Sequence, residues 1–143
     1  MSRISGGKVV AGGILAGIVL SAFDFVTNNF LLADEWQQVA QRHAIDLAVM
    51  SGTGALTSML VVDLLLGLVL VLTYASIRPR FGAGPGTGAI ASLIVFLPAA
   101  LMLASFGGWL LPWDLFFRQV VVLFVAMLAA GFAGGWVYAE EGQ

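Results

Sequence analysis

Four long apolar stretches limit what this sequence can fold into. A transmembrane α-helix needs about 20 consecutive apolar residues to cross the hydrocarbon core of a bilayer. The stretches cover residues 9–32, 55–77, 88–106 and 115–137. None of them shows the alternating pattern of barrel strands, so the sequence predicts four transmembrane helices.

The composition excludes other classes of fold. Of the 143 residues, 60% are hydrophobic and only 10% are charged, and the mean hydropathy is +1.01. An average soluble domain carries about 25% charged residues, and disordered chains are more polar still. We therefore predict one all-α integral membrane domain over residues 1–143. It is an antiparallel four-transmembrane-helix bundle with an amphipathic interfacial helix between the first two spans.

The residue types also restrict the chemistry. The chain has no cysteine, which excludes disulfide exchange and thiolate metal sites. Its one histidine, His43, excludes a multi-histidine metal centre within the chain. A net charge of −2 without a basic tract argues against nucleic acid as a partner. No nucleophile–base pair is recognisable, so we expect no catalytic residue, metal site or cofactor, and no enzyme activity.

Basic residues near the ends of the spans predict the orientation. Arg3 and Lys8 precede the first span, and Arg78 and Arg80 lie between the second and third. Because cytoplasmic loops carry an excess of Lys and Arg, this side is predicted to be cytoplasmic, with both termini inside. Arg78 and Arg80 also stand beside the start of a helix. They serve there either as topology anchors alone or as a seat for an anionic lipid headgroup.

A polar segment at residues 34–50 separates the first two spans on the outer side. Apolar side chains recur in it at helical spacing, and polar ones fill most of the opposite face. The apolar set is Trp36, Val39, Ala40, His43, Leu47 and Met50. Asp34 stands in position to cap a helix, with Gln37 three residues later. The pattern predicts an amphipathic helix on the outer membrane surface or across the mouth of the bundle.

The connection between the second and third spans has a distinctive sequence. Residues 74–87 read Y-A-S-I-R-P-R-F-G-A-G-P-G-T. We expect Pro79 and Pro85 to stop the flanking helices and Thr87 to cap the third span. With a glycine-rich first span that leads to a polar residue, this segment resembles a group of small bacterial four-helix inner-membrane proteins of unassigned function. They carry the pattern Y-x-x-I-R-P-R-F-G-x-G-P-x-T. The resemblance implies a bacterial inner membrane and no particular activity.

Small residues spaced four apart occur in the first and fourth spans. The two pairs are Gly13 with Gly17, and Gly131 with Gly135. In lipid, such residues let helix backbones approach closely. We therefore expect tight contacts in the cytoplasmic half of these spans, either with each other or with a neighbouring subunit.

Ionisable residues inside the spans are the most informative candidates. Asp24 and Asp63 each lie about eight residues from the outer end of their spans, roughly 12 Å below that surface. Arg118 enters one turn from the outer end of the fourth span, and its long side chain could reach either carboxylate. Asn28 follows Asp24 by one turn, and Gln119 could extend the polar group. The predicted cluster is a structural polar staple, a proton or cation site that opens outward, or a contact for a partner protein.

Two functions follow from these patterns. The leading hypothesis is a non-catalytic accessory or structural subunit that packs against other membrane chains. Its alternative is a small oligomeric transporter or channel with a proton or cation site at Asp24 and Asp63. The expected partners are membrane lipids, together with other membrane-protein subunits or further copies of the chain.

Overall fold

The computed structural model describes residues 4–140; in that range its regular elements are all helices, with no strand. Its elements are α1 (Gly6–Val26), a π-helical turn (Thr27–Leu31), α2 (Ala33–Arg42), α3 (Leu47–Met50), α4 (Thr53–Phe81), α5 (Pro85–Ala104) and α6 (Trp113–Glu140). Four helical segments in these residues are long and apolar enough to cross a membrane: Gly6–Leu31, Leu47–Phe81, Pro85–Ala104 and Trp113–Ala139. The prediction of an all-helical chain with four such segments is confirmed.

The contacts between helices define two ends of the molecule. Along α1 and α4, Gly13 lies against Leu68 and Gly17 against Leu64, so residue numbers rise on one helix as they fall on the other. We call one end the loop end: it contains the start of α1, the end of α6 and the connection at residues 82–84. The last part of α4 meets the last part of α6 there, where Tyr74 packs on Tyr138. The α2 end contains α2, α3 and the connection between α5 and α6.

The main core lies where α1, α4, α5 and α6 meet. Its fully buried side chains come from all four helices: Ala16, Leu70, Val71, Ala91, Met127 and Ala130. Glycines let the backbones approach at this level. A methyl group on Gly67 would stand only 2.4 Å from the backbone nitrogen of Gly17. Close packing of this kind replaces the hydrophobic drive that water supplies to soluble proteins.

The four predicted packing glycines are all buried within the chain. Gly13 and Gly17 pack against α4, Gly131 packs against Ser92 of α5, and Gly135 packs against the ring of Tyr74. The neighbouring small residues join α1 to α6, where Gly12 faces the carbonyl oxygen of Gly134. These glycines therefore make contacts inside the bundle and are not displayed for another subunit.

The predicted amphipathic helix at 34–50 is two elements. It begins at Ala33, so Asp34 lies inside the first turn and does not cap it. The helix ends at Arg42, because Ala44 takes a left-handed backbone angle (φ 52°). A short helix then starts where the Asp46 carboxylate accepts a hydrogen bond from the Ala48 amide at 2.9 Å. The apolar face of α2 packs on the protein, in a small cluster of Leu32, Val39, Leu111 and Leu115.

The expectations for the connection at residues 82–84 need a correction. Helix α4 continues through Pro79 to Phe81, because a proline in a last turn removes only one backbone hydrogen bond. Gly82 ends the helix with a φ of 83°, an angle that glycine adopts without strain. Helix α5 begins at Pro85. Thr87 is not the cap, since its hydroxyl lies within the first turn and donates to the Gly82 carbonyl at 2.7 Å.

Candidate functional site

The Asp24 and Asp63 side chains are neighbours between α1 and α4, close enough to interact electrostatically. Asp63 is only 4% exposed, and Asp24 is half-buried. The two helices bring them together because Gly17, two turns before Asp24, packs against Leu64, the residue next to Asp63, and so fixes the register of α1 on α4. The two carboxylates, predicted to lie at matching depth, are therefore neighbours in the structure.

Ser21 is a third member of this pair that the sequence reasoning missed. Its hydroxyl donates a hydrogen bond to Asp63 Oδ2 at 2.9 Å. Ser21 precedes Asp24 by three residues and so shares its helix face, a spacing that would have identified it. We call Ser21, Asp24 and Asp63 the acid site. Among the side chains of residues 4–139, no Lys, Arg or His pairs with either carboxylate.

Asn28 and Gln119 form a separate polar layer nearer the α2 end. The side-chain oxygen of Asn28 accepts two hydrogen bonds, from Trp36 Nε1 at 2.9 Å and from Gln119 Nε2 at 3.0 Å. Asn28 thereby joins the π-helical turn after α1 to both α2 and α6. The predicted polar cluster is therefore two layers one helical turn apart. Trp36, predicted only as part of an apolar face, is a partner in the second layer.

Arg118 does not join the acid site, which corrects the expectation of a staple with Asp24 and Asp63. Its side chain is 57% exposed and pairs with Glu35 of α2. The physical reason is the position of α2, which packs beside the start of α6 and offers a carboxylate near the surface. An arginine keeps more of its hydration there than beside a buried acid. The acid site thus lacks the counter-charge that the sequence suggested.

A cavity of about 400 Å³ lies at the α2 end, between the π-helical turn, α2, α3 and the start of α4. Its wall includes Asn28, four residues after Asp24, and Met59, four residues before Asp63. Both residues therefore stand about one turn, roughly 6 Å, from the acid site on the same helix faces. The exposed residues Gln37 and Ser51 also line the cavity, so it is open to the surroundings at this end.

Towards the loop end, the contact between α1 and α4 is closed. A methyl group added to Gly13 would stand 2.8 Å from the Cα atom of Leu68, and one on Gly17 would stand 2.7 Å from the Cα atom of Leu64. Such distances leave no space between the two helices. The acid site therefore lies between this closed contact and the cavity at the α2 end, whose lining does not itself include Ser21, Asp24 or Asp63.

Arg78 and Arg80 lie in the last turn of α4 at the loop end. The guanidinium carbon of Arg78 stands 5.7 Å from the centre of the Tyr138 ring, a cation–π contact, and Arg80 is exposed. The Tyr138 ring meets Tyr74 edge to face at 5.9 Å. Both tyrosines are buried. This group is far along the bundle from the acid site.

Comparison with known protein families, curated proteins and solved structures found no match to this chain. The resemblance of residues 74–87 to a group of bacterial membrane proteins stays a prediction. Function is therefore inferred from the geometry of the residues themselves. The acid site is the arrangement with the clearest chemical capacity, because a carboxyl pair with a hydroxyl donor can hold a proton or a small hard cation.

Proposed function

We propose that this protein is a small integral membrane protein that holds one positive charge between Asp24 and Asp63 and exchanges it through the cavity at the α2 end. The charge is a proton or a small monovalent metal ion. The observation that carries the proposal is the placement of two neighbouring carboxyl groups, one of them bonded to Ser21, without a basic partner in the described part of the chain. Ionisable residues inside a membrane span are functional candidates because placing a charge there costs free energy.

The energetics favour a bound positive charge. On insertion scales, one charged Asp at the centre of a transmembrane helix costs about 2.5–3.5 kcal/mol. Two adjacent carboxylates add mutual repulsion, which is strong where the surroundings are apolar. A shared proton or a bound cation removes one of the two negative charges. The Ser21 hydroxyl then stabilises the charge that stays on Asp63.

The proposed orientation follows the basic residues. We place the protein in a bacterial inner membrane as an antiparallel bundle, with the loop end and both termini in the cytoplasm and α2 as an interfacial helix across the outer mouth. Arg78 and Arg80 at the loop end support this orientation. The cavity then opens outward. Passage of a cation to the cytoplasm requires α1 and α4 to part, so we propose that this arrangement is the outward-open state of a small transporter.

The test is ion flux in liposomes that contain the purified protein. One arm follows internal pH with a trapped dye in choline buffers, and the other follows uptake of radioactive sodium. We expect flux above that of empty liposomes in one arm, lost in Asp24→Asn and in Asp63→Asn. The matched control is Asp114→Asn, the same chemical change at an exposed residue of α6. Circular dichroism checks that each variant is folded. No flux in the wild type, or unchanged flux in Asp63→Asn, would overturn the transport proposal.

A second candidate is the accessory or structural subunit. The closed packing of Gly13 and Gly17 on α4 favours it, because α1 and α4 leave no space between them at these residues, on the loop side of the acid site. Under this proposal Asp24 and Asp63 hold the register of the two helices. The mass of the native assembly, purified in mild detergent, distinguishes the candidates. Larger unlike subunits would support the accessory role, and a chain found alone or only with copies of itself would contradict it.

A further inference from the structure

A second cavity opens sideways between α5 and α6 near the loop end. It has a volume of about 370 Å³, and its lining includes Gly84, Gly88, Gly131 and Gly135. At Gly131 and Gly135 an added methyl group would meet Ser92 and Tyr74, so the cavity lies beside a close contact between the helices. Phe132 and Trp136 flank it and are 44% and 59% exposed on the outer face of α6. We call this cavity the glycine groove. It opens on the outer surface of α5 and α6, two helices that are apolar enough to cross a membrane.

The groove adjoins the positive charge at the loop end. The Tyr74 ring lines it, and the Tyr74 hydroxyl accepts a hydrogen bond from the Gly84 amide at 3.3 Å. On its other side Tyr74 contacts Tyr138, over which the Arg78 guanidinium is stacked. Two tyrosine rings, Tyr138 and then Tyr74, therefore lie between the Arg78 guanidinium and the groove. Neither Arg78 nor Arg80 has an acidic partner among the side chains that the structure describes.

We propose that the glycine groove holds one acyl chain of an anionic phospholipid whose phosphate binds Arg78 and Arg80. The lining is apolar and opens on a lipid-facing flank, so within a bilayer its occupant is hydrocarbon. The arginines select the headgroup, since each basic residue near the surface favours anionic lipid. The cation–π contact with Tyr138 holds Arg78 in place and lowers the entropy lost on binding. This site is independent of the acid site and of the proposed transport.

Quenching of Trp136 fluorescence by brominated acyl chains tests the proposal. The full-length protein is placed in phosphatidylcholine bilayers that contain a small fraction of brominated phosphatidylglycerol or, in parallel, the same fraction of brominated phosphatidylcholine. The contribution of Trp136 is the difference between the wild type and Trp136→Phe. We expect stronger quenching by phosphatidylglycerol, with its apparent affinity reduced about fivefold for each arginine changed to glutamine. Arg42→Gln, an exposed arginine at the α2 end, is the control.

A second variant tests the groove separately from the charge. Ala139 lines the groove and is half-buried, so Ala139→Phe fills it while both arginines stay. We expect this variant to lose the preference for phosphatidylglycerol, and Ala22→Phe on the exposed face of α1 to keep it. Equal quenching by the two lipids in the wild type would overturn the proposal. A preference for phosphatidylglycerol that survives Ala139→Phe would also overturn it. Such a result would mean that the arginines attract anionic headgroups to the surface while no acyl chain occupies the groove.

Discussion

Replacing Gly67 by alanine perturbs the contact that positions the acid site. The added methyl carbon would stand 2.3 Å from the carbonyl oxygen of Gly13 and 2.4 Å from the amide nitrogen of Gly17. Ordinary van der Waals contact begins at 3.4 Å, and both neighbours are backbone atoms that no rotamer change can move. Helices α1 and α4 must therefore separate by about 1 Å. A gap of that size forfeits a quarter to a half of each dispersion contact along the interface. We expect Gly67→Ala to destabilise the protein by about 1–3 kcal/mol, the usual range for overpacking.

The assay is reversible unfolding in mild detergent, with Gly54→Ala as the matched control. Gly54 belongs to the same helix, and nothing lies within 4 Å of the methyl group that alanine would add. Because alanine favours a helix more than glycine does, the control should be neutral or stabilising by up to about 1 kcal/mol. Equal stability of Gly67→Ala and Gly54→Ala would refute the close approach of α1 and α4. A loss in both variants would refute it too, because the cost would then be unrelated to space.

Three further predictions concern the polar layers and the core. Arg118→Gln should lower the free energy of unfolding by less than about 1 kcal/mol, as expected for an exposed pair with Glu35. A loss of about 3 kcal/mol or more would indicate that Arg118 neutralises a buried acid. Asn28→Ala leaves the donors of Trp36 and Gln119 without their acceptor, so unfolding should cost about 1–3 kcal/mol less and amide exchange in α2 should speed up. An unchanged rate of amide exchange in α2 would show that Asn28 does not hold that helix in place. Ser92→Ala removes a buried hydrogen bond to the Met127 carbonyl and should cost about 0.5–1.5 kcal/mol in the same unfolding assay, whereas a gain in stability would contradict that bond.

The four long helices were predictable because each is a predominantly apolar run of span length. The contact of Asp24 with Asp63 followed from equal depth on two successive spans. Ser21 carried a signal that the sequence reasoning did not use, since it lies three residues before Asp24. Gly67 carried one as well, because it is a glycine in the second span at the level of Gly13 and Gly17. Its contacts show that close approach involves three glycines on two helices.

Other features had no local signal. The position of Arg118 depends on where Glu35 lies, and Glu35 belongs to a helix whose placement depends on packing against Leu111 and Leu115. The break after α2 occurs at Ala44, and alanine rarely adopts a positive φ. The glycine groove arises from two helices together. No single stretch of sequence encodes such features, because tertiary contacts create them.

The charge state of the acid site is the most direct test of the central proposal. Infrared spectra of the wild type, Asp24→Asn and Asp63→Asn are recorded at neutral pH in choline buffer free of metal cations, with Asp114→Asn as the control. We predict a protonated-carboxyl band in the wild type and the control that is absent from both acid-site variants. Two ionised carboxylates in the wild type, or a band unchanged in both acid-site variants, would contradict a positive charge shared between Asp24 and Asp63.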